Sequence, residues 1–194
     1  MNINDVKAGI QEWNDNLDNA TLMSKLYDIK ALNFDLGNVI LMSTDLHVYP
    51  AIDKNSDIQF YLISSTFDNK EQSNIIDYIV QASPEPQINY GSIPGIVAKS
   101  RIENWANHFT EWLDDSIAQS SMFQGFVVPG DDLNETNFTI YFGLRPDDAS
   151  TGIDYFADLI LISASNKVYE DTVMPVPPFG LNPGSAKNLF SLLP

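Results

Sequence analysis

Residues 138–146 read FTIYFGLRP. Phe138, Ile140, Phe142 and Leu144 alternate with Thr139, Tyr141, Gly143 and Arg145, and a period of two is the signature of a β-strand. The pattern predicts one packed face and one face at least partly wet, as antiparallel sheets allow. Downstream, IDYFADLILISA (153–164) is more continuously apolar and predicts a more buried strand. Upstream, FQGFVVPG (123–130) predicts another strand, closed by a turn at GDD.

Before these strands stands the clearest helix of the chain, residues 95–120. Ile102, Trp105, Ala106, Phe109, Leu113 and Ile117 form one apolar stripe, with Trp112 at its margin. The first 30 residues also read as helix. Val6, Ile10, Trp13 and Leu17 share a face, Asn4 or Asp5 caps the start, and Leu22, Leu26 and Ile29 continue the pattern after NAT. Residues 32–66 read as strands in NVILMS, LHVYPAI and DIQFYLISSTF, rich in β-branched and aromatic residues. DNKEQSNIIDYIVQAS (68–83) predicts a helix with Ile75, Ile76, Ile79 and Val80 inward, stopped by Pro84 and Pro86.

The order is helices, strands, two helices, strands. That is no steady β-α-β alternation, so the expected class is α+β. The expectation is a mixed or mostly antiparallel sheet, an N-terminal helical segment, and the long amphipathic helix at about 95–120 packed on the sheet.

The chain has 194 residues, which suits a single domain with an ample core. It has no cysteine, which excludes disulfides, zinc-thiolate sites and thiol catalysis. There are 26 acids against 10 bases, so the net charge of −16 comes from scarce Lys and Arg. Asn, at 18 residues, carries much of the polar surface instead. Such a chain lacks the cations needed to displace counterions from nucleic acid or to dock on an anionic membrane. Its start, MNINDVKAGI, has neither a basic region nor an apolar core, so no secretory signal is expected. No run approaches the ~18 apolar residues of a membrane span. The expectation is a soluble protein, cytoplasmic or exported without a classical signal.

The last 23 residues, TVMPVPPFGLNPGSAKNLFSLLP (172–194), contain no acid and five of the eleven prolines. They are read as a Pro-rich apolar strap or tail beside a globular domain of residues 1–171. Leu189, Phe190, Leu192 and Leu193 need a surface to bury them. That surface is the chain's own domain, a partner's groove, or a second copy exchanging tails.

Chemical signatures are sparse. His108, Glu111 and Asp115 share a flank of the long helix, where a metal or an acid–base pair could sit, or a plain polar flank. His47 lies on a predicted strand, and nothing in the sequence joins it to His108. DDASTGIDYFAD (147–158) brushes against a calcium loop through Asp147, Asp148, Gly152 and Asp158, but its third and fifth positions are Ala149 and Thr151. Asp131 and Asp132 offer oxygen ligands in what reads as a turn. Arg145 is one of two arginines and could clamp a carboxylate, while Arg101 is placed on the polar side of the long helix. Trp105, Trp112, Tyr141 and Phe142 are candidates to line a ligand cavity. Nucleophile elbows, phosphate loops and dinucleotide fingerprints are absent from the sequence, and no cofactor is expected. The leading expectation is a non-enzymatic protein-binding or self-associating assembly module, of bacterial or phage-like character. The alternatives are a small metal-assisted hydrolase and a small-ligand binding domain.

Overall fold

A computed structural model describes residues 1–37, 44–88, 95–133, 135–146, 154–163, 169–170, 173–176 and 190–194. The chain is α+β, with two antiparallel sheets where one was expected. Helix α1 (Ile3–Asp15) starts at Asn2, whose side chain accepts from the Asn4 N–H, and the short α2 (Ala20–Met23) is capped by Asn19 in the same way. A 3-10 turn at Ser24–Asp28 leads into strand β1 (Ala31–Asp35). Strands β2 (Leu46–Ile52) and β3 (Ile58–Ser64) form a hairpin. Its turn is held by Asp53, whose Oδ1 accepts from the N–H of Asn55 at 2.8 Å and of Asp57 at 3.0 Å.

After a 3-10 turn at Ile75–Tyr78 come β4 (Val80–Gln81) and β5 (Ser83–Glu85). The helix expected over 68–83 is therefore replaced by a loop, one 3-10 turn and two short strands. Phe67 and Tyr78 stack at 3.8 Å and pin the two ends of the loop. The long helix α3 (Ile96–Ala118) follows, then β6 (Gly125–Val128), a turn at Gly130–Asp132, β7 (Asn137–Pro146), β8 (Tyr155–Ser163), β9 (Tyr169–Glu170) and β10 (Met174–Val176). The NVILMS stretch (38–43) lies outside the described residues.

One sheet runs β5-β1-β7-β8-β9 and the other β10-β6-β2-β3-β4. Residues 80–85 pass from the second to the first, contributing an edge strand to each. Pro50 stands within β2, but β6 pairs only with Leu46–Val48, so the missing N–H falls where β2 has no neighbour on that side. The period-two positions meet between the sheets: Leu46, Val48, Phe60, Leu62, Phe126 and Val128 from one face Ile140, Phe142, Leu144, Leu159 and Leu161 from the other.

Both outer faces are covered as well. The face of β7 expected to be partly wet is so only at its ends, half-buried at Thr139 and exposed at Arg145; between them Tyr141 packs with Ala31, Ile160 and Ile162 beneath Ala98 and Ile102 of α3. A Cβ on Gly143 would lie 3.2–3.3 Å from Arg101, so glycine admits the helix there. Arg101 is half-buried on this contact, not on the polar side, and pairs with the buried Asp158 at 2.7 Å. On the other sheet, Val6 and Ile10 of α1 cover Tyr49, Ala51 and Ile63.

Each helix then leaves its outer face and ends in the central core. Trp13 of α1 and Trp105, Phe109, Trp112 and Leu113 of α3 join the inter-sheet cluster. Trp112 is thus buried instead of marginal. Phe123 stacks on Trp13 at 5.4 Å and on Trp112 at 6.2 Å, and its carbonyl accepts the Trp13 indole N–H at 3.0 Å. Replacing Phe123 by Ala should cost about 3–5 kcal/mol, read as a fall in the urea midpoint of unfolding at unchanged slope.

Candidate functional site

The most concentrated polar chemistry is buried, on the outer face of β2. His47 and Tyr49 sit two residues apart and so point the same way. Asp68, from the loop after β3, receives both. His47 Nδ1 lies 2.5 Å from Asp68 Oδ2, and the Tyr49 hydroxyl donates to the same oxygen. The other oxygen, Oδ1, accepts the backbone N–H of Ser191 at 3.1 Å and the Ser191 hydroxyl. The Leu192 N–H donates to the Tyr49 hydroxyl at 3.3 Å. Four donors thus converge on one enclosed carboxylate, the condition under which a buried charge is tolerated.

Phe190 closes this group. Its ring stacks on His47 at 4.2 Å and meets Tyr49 edge-on at 5.1 Å. Gly125 makes the space, since a Cβ there would come within 3.0 Å of both the Phe190 ring and the Val48 carbonyl. Phe190 and Leu192 are buried and Leu193 packs beside them, all against the chain's own sheet, while Leu189 lies outside the described residues. The set holds a Ser, a His and an Asp, yet Ser191 bonds to Asp68 and not to His47. It is arranged as a fastening, without the serine–imidazole contact that activates a nucleophile.

The polar residues singled out by sequence are dispersed. His108 Nδ1 bonds to Glu111 Oε2 at 2.8 Å and its ring stacks on Tyr155 at 4.7 Å, on a partly exposed helix flank. Among the described residues no three His, Asp or Glu side chains converge as a metal site, so His108, Glu111 and Asp115 are not gathered around one point. Asp131 and Asp132 lie in the 3-10 turn before β7. Asp147 and Asp148 lie outside the described residues, and Asp158 of the same stretch is the partner of Arg101. Trp105, Trp112, Tyr141 and Phe142 do not line the surface concavities described below. They pack in the core, with Trp105 stacked on Phe142 at 4.9 Å. The Trp105 indole N–H has no acceptor among the described residues, so aromatic packing there outweighs a cost of about 1–3 kcal/mol.

Among the surface concavities of the described residues, two gather charged side chains from distant segments. One, of about 430 Å³, is lined by Ile96, Val97, Ser100, Arg101, Asn104, Arg145 and Pro146. It gathers both arginines of the chain. The other, of about 490 Å³, lies between α1 and the β2–β3 hairpin and is lined by Asp5, Glu12, Asp53, Lys54 and Tyr61 among others. The sequence signalled neither, because each joins segments that are distant in the chain. No protein-family model, curated protein or solved structure matches this chain.

Two outcomes test the buried group. Asp68→Ala leaves His47, Tyr49 and Ser191 without their acceptor. It should cost about 3–5 kcal/mol in denaturant unfolding and should make the chain end after Val176 sensitive to limited proteolysis. Burial first, and then the Asp68 charge, push the Tyr49 phenol above its ordinary 10.0. The folded state therefore holds the Tyr49 proton more tightly than the unfolded state does. Its stabilising effect is complete below pH 10 and is lost as pH rises beyond that. The urea midpoint should fall between about pH 9.5 and pH 11.5, and Tyr49→Phe should flatten that fall.

Proposed function

We propose that the protein is a non-enzymatic binding module that docks a partner protein on the start of α3. The observation that carries this is Ile96 and Val97, neighbours in the first helical turn, with 85% and 45% of their surface exposed. Among the described residues they are the only adjacent pair of exposed large apolar side chains. An apolar pair rimmed by polar groups is the usual anatomy of a docking patch.

The surroundings favour a partner of particular chemistry. Arg145 is exposed beside Pro146, and Arg101 lines the same concavity. The first turn of α3 carries no acid, and Gly95 offers no capping side chain. Arginine fork geometry and the positive end of a helix both suit a carboxylate. The fitting occupant is a protein segment presenting a large apolar side chain next to an acidic one. Phe190 and Leu192 are engaged on the chain's own sheet, so in this arrangement they serve the fold that presents the patch.

The test is co-purification from the native host with four baits: wild type, Ile96→Asp, Arg145→Glu and a chain lacking residues 177–194. Wild type should retain one stoichiometric partner. Both point variants should lose it at least tenfold without any change in thermal midpoint, and rising salt should weaken it. A partner held equally by wild type and both point variants would overturn the proposal.

A further inference from the structure

The socket around Asp68 is assembled from two parts of the chain. His47, Tyr49, Asp68 and Gly125 belong to the body, while Phe190, Ser191 and Leu192 come from the end. The body reads three successive residues of the end. The Phe190 ring takes the space over Gly125 and stacks on His47 at 4.2 Å. The Ser191 N–H and hydroxyl both go to Asp68 Oδ1, and the Leu192 N–H goes to the Tyr49 hydroxyl at 3.3 Å. A socket of this kind is filled with identical contacts by the same three residues of any copy of the chain.

The route into the socket bears on which copy supplies them. Val176 pairs with Gly125 across β10 and β6, and a Cβ on Gly125 would lie 3.0 Å from the Phe190 ring. The chain therefore leaves Gly125 at Val176 and is back beside it at Phe190. Within one copy, residues 177–189 must close a loop. Pro177, Pro178 and Pro183 stand among them, and the fixed φ of proline favours extension over a tight return. Between two copies the same residues need only span a gap. Extended, the stretch from Val176 to Phe190 reaches about 46–50 Å. The radius of gyration expected for a domain of 194 residues is about 16 Å, so a second copy lies within reach.

Because the contacts are the same in both arrangements, the connecting residues set the balance. A tethered end presents itself to its own socket at an effective concentration on the order of 1 mM. The closed monomer is then favoured at micromolar protein, and exchange between copies at millimolar. Interconversion is slow, since it must draw the buried Phe190 out and strip Asp68 of both Ser191 donors.

We propose that the chain end is exchangeable, and that two copies form a symmetric dimer in which residues 190–193 of each fill the Asp68 socket of the other. The socket lies on the outer face of the β2–β3–β6 sheet and α3 on that of the other sheet, so this dimer is independent of the α3 patch.

Refolding the full chain from urea at about 1 mM and at about 10 µM tests this, with both samples diluted to one concentration and sized at once by chromatography with light scattering. The concentrated sample should hold about tenfold more dimer. In a dimer of one isotope-labelled and one unlabelled copy, isotope-filtered NMR should place the Phe190 ring protons of one copy beside the His47 and Tyr49 rings of the other. Phe190→Ala should lower the dimer fraction about tenfold, and Ile96→Asp should leave it unaltered. Equal dimer fractions from the two samples, a wild-type dimer without those contacts between copies, or a dimer abolished by Ile96→Asp would each rule exchange out.

Discussion

A single ring, Phe123, holds the architecture together. It lies between Trp13 and Trp112, which arrive from distant parts of the chain on α1 and α3. Each helix begins on the outer face of a different sheet and ends against this ring. That geometry answers a requirement of the strands. β2 is buried along its whole length, and β7 and β8 through most of theirs, so both faces of both sheets need cover. Four faces and two long helices leave part of the β2–β3–β6 outer face to another element. The chain end, Phe190 to Leu193, takes that place.

Much of this was legible in the sequence. The stripes of α1 and α3 showed because their apolar residues recur at helical spacing, and β7 showed because its period is two. What stayed hidden depended on which faces would meet. Tyr141 looked like a wet position because sequence cannot say that α3 folds back over it. Trp112 looked marginal because α3 is apolar toward two different surfaces along its length. Ile75, Ile76, Ile79 and Val80 have helical spacing but serve separate surroundings: Ile75 and Ile79 sit in the outer-face cluster, while Val80 packs against the central one. Asn69 meanwhile offers its side chain to the Glu71 N–H, and that Asx turn competes with a helix.

The polar groups divide on the same principle. His47 and Tyr49 share a face on any strand reading, but nothing in the sequence announces that Asp68 and Ser191 come to them. The distance between Asp68 and Ser191 in the chain is closed only by tertiary packing. His108 and Glu111, by contrast, were legible as a pair because i and i+3 on a helix are neighbours by construction. The legible contact is the exposed one, where an ion pair is worth little, and the hidden contact is the enclosed one, where it matters most.

The enclosed carboxylate also explains why the chain end settles in one register. An apolar segment on an apolar face can slide, because burial is nearly indifferent to position along the surface. Hydrogen bonds are not. Asp68 Oδ1 takes the Ser191 N–H and hydroxyl together, and the Tyr49 hydroxyl takes the next N–H along the chain. Moving the segment by one residue would offer Asp68 a leucine or a phenylalanine in place of a hydroxyl donor and strand a buried charge short of a partner. Phe190 supplies the area and fits the space left at Gly125, while Asp68 supplies the direction. The absence of acids from residues 190–193 fits the same contact: a carboxylate set beside Asp68 would place like charges together in a region with little water to screen them.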